Sequence, residues 1–434
     1  MNDAVRREFE LKTITAQEAA KMVRSGDTVY VGANSTVACA LTEALGDRAE
    51  ELEHVTLAGG LITQDMNVFH HPAFRTISYF LGPNARKLVA QGISTYTSQH
   101  LHRMDMWSRQ TVNPDVAFLE VSEPDADGNM SYGATGVGFH TYIASCARTV
   151  ILQINRNQPY VYGQDNTINI KDADYVVYAD TQLAEVADAA ADETVERISR
   201  YIIDLIPDGA CIQLGIGGIS GAVGYGLKDR NDLGIHTEMM TNSMMYLMKR
   251  GVVSNRRKSF HPGKTVAGFA YGSSELYRFV DKNEQMYFAP FPVVNDPRVI
   301  AQNDDMVSVN TAMSIDLFGQ VCAENIGGRQ YSGIGGQVDF IRGAEMSRGG
   351  KAIIAIQSTG ENRNLGRYSK ICFQHPAGAV ITTSRADVQY VVTEYGAVNL
   401  MPLSMRDRVC AMISLAHPDF RDQLAEEAKK ARLL

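Results

Sequence analysis

The stretch PDGACIQLGIGGISGAV, residues 207–223, contains a Gly-bearing turn, a short apolar run and a Gly-rich loop that leads into helix-like sequence. The same arrangement occurs earlier as SGDTVYVGANSTVACAL, residues 25–41. A short apolar run that is bounded by glycines and followed by a helical pattern is typical of a buried strand in an α/β sheet. The pair therefore predicts that one α/β unit is built twice.

Four other landmarks of the first half recur in the same order in the second half. They are HVTLAGG from residue 54 with GIHTEM from 234, DVAFLEVSEPDADGNM from 115 with DMVSVNTAMSIDLFGQV from 305, TVILQIN from 149 with KAIIAIQ from 351, and ADYVVYAD from 173 with VQYVVTEY from 388. Self-similarity in a fixed order indicates an internal repeat. We therefore expect two similar open α/β domains in tandem, each with a largely parallel sheet flanked by helices.

An Asp- and Ala-rich connector separates the two halves. The strand signals lapse in AEVADAAADE, residues 184–193, and a helical stripe follows before a Pro-Asp-Gly stop. The stripe is formed by Val195, Ile198, Ile202 and Leu205. We expect an N-terminal domain at 1–187 and a C-terminal domain, which carries the chemistry, at 188–434.

Length and composition are those of a folded acidic protein. The chain has 434 residues, of which 45% are hydrophobic and 21% charged, with a formal net charge of −8. This balance argues against a nucleic-acid binder or an anionic-membrane binder, since both need a basic face. No apolar run approaches the roughly 18 to 20 residues of a membrane span, and MNDAVRREFELK has no signal-peptide core.

The cysteines and histidines predict no metal site. The six cysteines are scattered, without a CxxC pair, which is typical of thiols in a reducing compartment. His100 and His102 are close in sequence but have no third ligand at metal-binding spacing. We expect a cytoplasmic protein with no bound metal.

Glu238, in LGIHTEM at residues 233–239, places a carboxylate where a buried strand would continue with an apolar residue. A lone carboxylate at a strand end is more often solvated or salt-bridged than catalytic. Glu238, however, follows a Gly loop by one helix and one strand, and open α/β sheets bind ligands at the carboxyl ends of their strands. Because the first half has Gly59 and Gly60 at this point, we expect the chemistry in the second domain.

Two Gly-rich loops could supply backbone hydrogen-bond donors. The first, Gly215 to Ile219, fits a structural turn, a phosphate loop or a dinucleotide loop, and Ser220 stands where GxGxxG requires its third glycine. The second, SGIGGQVDF at 332–340, is better suited to an ordered loop than to a linker, because it runs into an apolar, strand-like QVDF. A carboxylate can attack a thioester without a general base, but the reaction requires an oxyanion hole. No GxSxG elbow or Ser-His-Asp spacing is present.

With these motifs the chain resembles class I coenzyme A transferases, in the branch of 4-hydroxybutyrate and butyryl-CoA:acetate CoA-transferases, with acetyl-CoA hydrolases as relatives. The resemblance covers nearly the whole chain through QLGIGGISGAV, LGIHTEM, YSGIGGQVDF, RGAEMSRGGKAI, VVTEYGAVNL and SMRDRVCAMISLAHPDF. It implies transfer of CoA between a short-chain acyl-CoA and a free carboxylate such as acetate, by ping-pong kinetics through a glutamyl-CoA thioester on Glu238. It also implies CoA as a substrate, no tightly bound cofactor, and a homodimer or higher homo-oligomer.

The resemblance assigns expected roles to further residues. Gly336 corresponds to the amide that faces the acyl oxyanion, and Asn295 to an asparagine that faces the substrate carboxylate. Glu394 is typical of the family without an assigned role, and bracing of the second domain is its structural alternative. The chain departs from its relatives after Ile356, in QSTGENRNLGRYSK, so the residues that contact the CoA phosphates stay unassigned. The expected CoA contacts are Gly215, Ile216, Gly217, Gly218, Ile219, Ser332, Gly333, Gly335 and Gly336.

Two other functions stay open at the level of sequence. A short-chain acyl-CoA hydrolase would use the same glutamate, because exclusion of water is what separates transfer from hydrolysis. A non-catalytic sensor of CoA or a nucleotide would bind its ligand without a reaction at Glu238. The sequence does not specify which acyl donor and acceptor acid are used.

Overall fold

The structure is a computed structural model that describes residues 3–362 and 366–434. Its N-terminal part alternates strands with short helices. The strands are β1 (Thr28–Ala33), β2 (Val55–Gly60), β3 (Phe74–Ser78), β4 (Thr95–Tyr96), β5 (Val116–Val121), β6 (Asn129–Ser131), β7 (Thr149–Ile154), β8 (Thr167–Asn169) and β9 (Tyr175–Tyr178). The helices are α1 (Asp3–Lys12), α2 (Ala16–Ala20), α3 (Cys39–Gly46), α4 (Pro83–Ala90), α5 (Met104–Met106), α6 (Gly133–Gly136) and α7 (His140–Cys146).

The C-terminal part repeats the alternation with longer helices. Its strands are β10 (Cys211–Leu214), β11 (Gly234–Met240), β12 (Thr265–Ala270), β13 (Met286–Phe288), β14 (Met306–Thr311), β15 (Ser314–Asp316), β16 (Val321–Cys322), β17 (Asn325–Ile326), β18 (Arg329–Gln330), β19 (Lys351–Ala355), β20 (Thr359–Asn362), β21 (Gly366–Ser369), β22 (Ile371–Cys372), β23 (Tyr390–Thr393) and β24 (Gly396–Asn399). The helices are α8 (Glu193–Leu205), α9 (Gly218–Gly226), α10 (Asn242–Lys249), α11 (Ser274–Val280), α12 (Phe291–Val294), α13 (Pro297–Ile300), α14 (Gln337–Met346), α15 (Met405–Leu415) and α16 (Pro418–Lys430).

The first main sheet is parallel throughout, in the order β4-β3-β2-β1-β5-β7-β9. From β1 the chain builds outward to β4, and it then returns to the other side of β1 to add β5, β7 and β9. The strand order therefore reverses between β1 and β5, which is the topological switch point where such sheets bind ligands. Every residue of β5 is buried, as expected for a strand with both faces covered.

The second main sheet has the order β13-β12-β11-β10-β14-β19-β23-β24. Strand β10 runs parallel to both of its neighbours, β11 and β14. The parallel pairing continues from β14 to β19 and from β19 to β23, and β24 then pairs antiparallel with β23. The five repeated landmarks therefore occupy the same places in both sheets, β2-β1-β5-β7-β9 in one and β11-β10-β14-β19-β23 in the other. The predicted fold class, two similar open α/β sheets with largely parallel strands, is confirmed.

Contacts between residues divide the chain into two compact units. The first comprises 1–187, 238–241 and 266–294, and the second comprises 188–237, 242–265 and 295–434. The boundary expected at 187/188 is one of these divisions, and two later segments group with the N-terminal residues. A domain boundary at that single point stays a prediction.

Local sequence explains the start of the helix that follows the connector. Asp192 caps α8, because its side chain accepts a hydrogen bond from the Val195 amide at 2.8 Å. The apolar stripe packs inward through Val195, Ile198 and Ile202, as the sequence predicts. Among the helices of the described residues, none has the length and apolar character needed to cross a membrane.

One local prediction is wrong. QVDF, expected as strand-like, forms the first turn of α14, directly after Gly336. The helix is favoured because Val338, Ile341 and Ala344 recur at helical spacing and are buried together on one face. The loop before it therefore ends at a helix N-terminus, which the strand interpretation would not have supplied.

Candidate active site

The loop after β10 lies at the switch point of the second sheet, between β10 and β14. The Gly215 amide donates to the Val309 carbonyl of β14 at 2.9 Å, and this bond fixes the start of the loop. Gly217 has φ of +109°, a conformation that L side chains rarely adopt, and it directly precedes α9. The side chain of Ile216 is 52% exposed although it is apolar. The loop therefore presents amides and one apolar side chain at the N-terminus of a helix.

Ser220, in the first turn of α9, is a residue whose role sequence reasoning missed. It is 2% exposed, and its Oγ lacks a hydrogen-bond partner among residues 3–362 and 366–434. A Cβ on Gly215 would lie 3.6 Å from this oxygen, so the hydroxyl is directed towards the loop. A buried hydroxyl without a partner is unfavourable unless something else satisfies it. In the sequence, Ser220 was notable only because it replaces the third glycine of the dinucleotide-binding motif GxGxxG.

The second Gly-rich loop, Ser332 to Gly336, is ordered by hydrogen bonds to Glu324. The Glu324 carbonyl accepts from the Tyr331 and Ser332 amides at 2.8 and 3.3 Å, and its carboxylate accepts from Gln330 Nε2 at 2.8 Å. Gly335 has φ of +58°, and Gly336 is the last residue before α14, which has ten residues. The loop therefore places its amides at the positive end of a helix dipole.

Both Gly-rich loops are attached to the carboxyl end of β14. The first is bonded there through Gly215 and Val309. The second is held by Gln337, whose Nε2 donates to the Thr311 carbonyl at 2.7 Å. Gln213 and Asn310 exchange side-chain hydrogen bonds at 3.1 and 3.4 Å across β10 and β14, just before the loops begin. The structure therefore brings together the predicted CoA-contact residues of the second compact unit.

Glu238 is half-buried on β11, which continues to Met240. Strand β11 pairs with β10 through Gly234 with Cys211 and Ile235 with Ile212. On the other side, a Cβ on Gly268 of β12 would lie only 2.9 Å from the Glu238 carbonyl oxygen. A glycine is therefore needed beside Glu238 so that its backbone can pack closely.

Asn295 and Glu394 belong to the second compact unit. Asn295, which follows α12 and precedes α13 in the chain, is fully buried. The Glu394 carboxylate accepts from the Ser358 amide at 3.0 Å and from the Ser358 hydroxyl at 2.5 Å. The geometry of Glu394 is that of a brace on the turn after β19. Residues 363–365, within the stretch where CoA-phosphate contacts were left unassigned, lie outside the described residues.

Comparison with known proteins identifies the family. Residues 1–187 match the acetyl-CoA hydrolase/transferase N-terminal domain, and residues 272–428 match the C-terminal domain of the same family. A 4-hydroxybutyrate coenzyme A transferase of Clostridium kluyveri is 39% identical over 97% of this chain and 98% of the relative. The chain belongs to the acetyl-CoA hydrolase/transferase family.

Two further comparisons agree with this assignment. A butyryl-CoA:acetate CoA-transferase of Anaerostipes caccae is 34% identical over 98% of both chains. The crystal structure of RipA from Yersinia pestis superposes with a TM-score of 0.93 at 35% identity and covers 100% of both chains. The resemblance to CoA-transferases that the motifs suggested is confirmed, and so is the expectation of an enzyme of that class.

The chemistry available to this family member follows from the donor groups. Amides at the N-termini of α9 and α14 favour negative charge, because the helix dipole and unpaired N–H groups act together. They can stabilise an oxyanion or a phosphate without a metal. His100 and His102 stack on each other with ring centroids 5.3 Å apart. All six cysteines are free thiols.

Tyr79 is a second residue that sequence reasoning missed. It follows β3 and is 9% exposed, and burial first and then the Glu238 carboxylate raise the pKa of its phenol. A Cβ on Gly60 would lie 2.2 Å from the Tyr79 ring. The Gly59-Gly60 pair was recognised only as the glycine counterpart of Glu238, and no spacing rule links it to Tyr79.

Proposed function

We propose that this protein transfers CoA between a short-chain acyl-CoA and a free carboxylate such as acetate, by ping-pong kinetics through a glutamyl-CoA thioester on Glu238. The observation that carries the proposal is the half-buried Glu238 carboxylate on β11, the strand next to the one that leads into the first Gly-rich loop. The names of the relatives support the class of reaction.

In the first step, a carboxylate oxygen of Glu238 attacks the thioester carbonyl of the acyl-CoA. The carbonyl electrons move to the acyl oxygen, and we assign the Gly336 amide as the donor to that oxyanion. The C–S bond then breaks and CoA leaves as a thiolate, which needs no proton because thiols have a pKa of about 8.5. The product is an acyl-glutamyl anhydride.

In the second step, the CoA thiolate attacks the glutamyl carbonyl carbon of the anhydride. The C–O bond to the acyl group breaks, the first carboxylate departs with the electron pair, and glutamyl-CoA is formed. A second carboxylic acid then runs the same steps in reverse. The energy of the thioester bond is conserved on the enzyme, provided that water is excluded.

The two Gly-rich loops are proposed to bind CoA. Their amides at Gly215, Gly217 and Gly218 and at Gly333 and Gly335 allow close approach of the ligand. The exposed side chain of Ile216 can pack on an apolar part of CoA, such as the pantetheine arm. Ile219 and Ser332 complete the proposed CoA contacts, and buried Asn295 is proposed to face the substrate carboxylate.

Mass spectrometry tests the covalent intermediate. The purified protein is incubated with butyryl-CoA alone, digested, and searched for a CoA-sized mass on the peptide that contains Glu238. We expect the adduct on the wild type and on Glu196→Gln, an exposed acid of α8. We expect none on Glu238→Gln. Absence of the adduct from the wild type after this incubation would sink the proposal.

The hydrolase alternative rests on the description of the family, which includes acetyl-CoA hydrolases. Loss of acetyl-CoA and release of free CoA are both measured with and without butyrate as acceptor. Loss of acetyl-CoA at equal rates, with release of free CoA, would favour hydrolysis. The transferase predicts that sustained loss of acetyl-CoA requires butyrate and yields butyryl-CoA in place of free CoA. A non-catalytic sensor predicts that Glu238→Gln keeps function, while the transferase predicts loss of turnover with binding of CoA retained.

The cellular location and the oligomeric state are part of the same proposal. We place the chain in the reducing cytoplasm, which suits its six free thiols. We also expect a homodimer or higher homo-oligomer, on the strength of the family resemblance. Light scattering coupled to size-exclusion chromatography measures that state directly, and a mass equal to the 47.6 kDa chain would contradict it.

A further inference from the structure

The proposed reaction forms two oxyanions on different atoms. The first develops on the acyl oxygen of the substrate, for which Gly336 is the proposed donor. The second develops on a carboxyl oxygen of Glu238 itself, when the CoA thiolate attacks the glutamyl carbon. An oxyanion in a partly buried site needs a donor aimed at the place where the charge develops.

Tyr79 has a side chain whose position is fixed on several sides. Its amide donates to the Gly59 carbonyl at 3.3 Å, and its ring packs edge-on against Trp107 and Phe139 at centroid distances of 5.3 and 5.4 Å. The ring also fills the space beside Gly60, where any Cβ would be within 2.2 Å of it. The phenol is therefore held rigidly at the carboxyl ends of β2 and β3.

Glu238 is connected to the same aromatic cluster. A Cβ on Gly268 would touch both the Glu238 carbonyl oxygen and the Phe291 ring, each at 2.9 Å. Phe291 stacks on Phe139 with ring centroids 6.0 Å apart, and Phe139 is a neighbour of the Tyr79 ring. Glu238 and Tyr79 are thus joined by two phenylalanine rings within one compact unit.

A second set of contacts brings the same segments together. The Thr63 side chain, in the loop after β2, is close enough to Tyr271 to offset part of the rise that burial causes in the pKa of the Tyr271 phenol. The Tyr271 amide in turn donates to the carbonyl of Met240, two residues after Glu238, at 3.2 Å. The end of β2 and the end of β11 are therefore neighbours by two independent routes.

The Tyr79 hydroxyl is available as a donor. The Tyr79 side chain is only 9% exposed. Burial and the Glu238 carboxylate both raise the pKa of this phenol, so it keeps its proton at neutral pH. A buried donor that stays protonated beside a carboxylate can stabilise added negative charge on that carboxylate.

We propose that Tyr79 is a catalytic residue whose hydroxyl donates a hydrogen bond to the oxyanion that forms on Glu238 during conversion of the acyl-glutamyl anhydride to glutamyl-CoA. This inference rests on the proposed function and adds a donor for the second of its two oxyanions. The C–S bond forms, the electrons move to the Glu238 oxygen, and they return as the C–O bond to the departing carboxylate breaks. Tyr79 keeps its proton throughout.

The test compares Tyr79→Phe with Tyr30→Phe in single-turnover experiments on the full chain with butyryl-CoA. Tyr30 is a fully buried tyrosine of the same aromatic cluster, and its hydroxyl forms a hydrogen bond with His140 Nε2 at 2.9 Å. Tyr30→Phe therefore also removes one buried hydroxyl, but not the one assigned to Glu238. We expect Tyr79→Phe to slow formation of the CoA adduct by about 100-fold, as for removal of one oxyanion donor. The KM for butyryl-CoA should change less than about twofold, since that donor acts only in the transition state.

A second readout separates catalysis from loss of packing. Phenylalanine keeps the ring packing of Tyr79, so the thermal unfolding temperature of Tyr79→Phe should match that of the wild type while the adduct forms slowly. An adduct rate equal to that of the wild type would overturn the inference and leave the proposed function standing. Equal losses in Tyr79→Phe and Tyr30→Phe, or a change in KM alone, would also overturn it. Absence of any adduct on the wild type would remove the proposed function as well.

Discussion

The ring of Tyr79 occupies the space that a side chain on Gly60 would need, since a Cβ there would be 2.2 Å from Cε1 and 2.3 Å from Cζ of the ring. Gly60→Ala must therefore displace a ring that Trp107 and Phe139 hold in place. We expect a loss of about 1 to 3 kcal/mol in the free energy of unfolding, as for other overpacked sites, measured by urea titration.

The control for this substitution is Gly221→Ala. Gly221 lies inside α9, and a Cβ there would meet no atom within 4 Å. Alanine is favoured over glycine within a helix by about 1 kcal/mol, so the same chemical change should raise stability. Equal effects of the two substitutions would contradict the role of ring displacement.

Ser220→Ala should separate binding from folding. The variant removes a buried hydroxyl that has no partner in the described part of the chain, so stability should stay equal or rise. If the first Gly-rich loop binds CoA, the hydroxyl is satisfied in the complex, and its loss should weaken CoA binding by about tenfold. Isothermal titration with CoA and thermal unfolding measure the two effects. Unchanged affinity would show that the hydroxyl takes no part in binding.

Lys258 should give the protein a pH-dependent stability. The residue is 6% exposed, and its ammonium group donates to the carbonyls of Ile235 and Lys264 at 2.8 and 2.7 Å without a carboxylate partner in these bonds. Burial lowers its pKa from 10.5 to about 8. Between these two values the unfolded chain binds more protons than the folded chain, so stability rises with pH in that range. Below the folded pKa both states are charged and the full cost of burial remains.

The measurement is the difference in unfolding free energy between the wild type and Lys258→Met, taken from pH 7 to pH 10. We expect this difference to move in favour of the wild type by about 2 to 3 kcal/mol over the range, at 1.36 kcal/mol for each pKa unit. Lys228→Met, at an exposed position, should give a difference that does not change with pH. Parallel curves for wild type and Lys258→Met would show that the ammonium is not buried in solution.

Glu394 is expected to act through Ser358 and not through the substrate. Glu394→Ala removes both hydrogen bonds, whereas Ser358→Ala removes only the bond from the hydroxyl, because the backbone amide stays. Glu394→Ala should therefore lower stability by about 1 to 3 kcal/mol and Ser358→Ala by less. The double variant should lose little more than Glu394→Ala alone, because the two residues form one interaction. At saturating substrate, kcat should stay within about twofold of the wild type. A large loss of kcat in Glu394→Ala alone would assign Glu394 to catalysis.

The sequence was sufficient to predict the fold because strands carry local signals. Apolar runs, glycine turns and their repeated order predicted both sheets, including the equivalence of β1 with β10 and of β5 with β14. QVDF was assigned wrongly, since four residues cannot distinguish a strand from the first turn of a helix. The full helical stripe through Ala344 makes the distinction.

The candidate site was predictable only where chemistry and local sequence coincide. Glu238 and the glycine loops are conspicuous because a carboxylate or a run of glycines is unusual at a strand end. Tyr79 and Ser220 are ordinary residues in ordinary positions. Their importance depends on long-range packing, such as the contact of Tyr79 with Gly60, and no spacing in a single sequence reports such packing.

The stacking of Phe139 on Phe291 has a consequence for biosynthesis. The first compact unit takes residues 266–294 from beyond the start of the second, so its aromatic cluster is incomplete in a nascent chain that ends at residue 187. A ribosome adds roughly 5 to 20 residues each second, so Phe291 is synthesised several seconds or more after residue 187. During that interval Phe139 and its neighbours have no cover from Phe291, and this is the period in which a chaperone would be most useful.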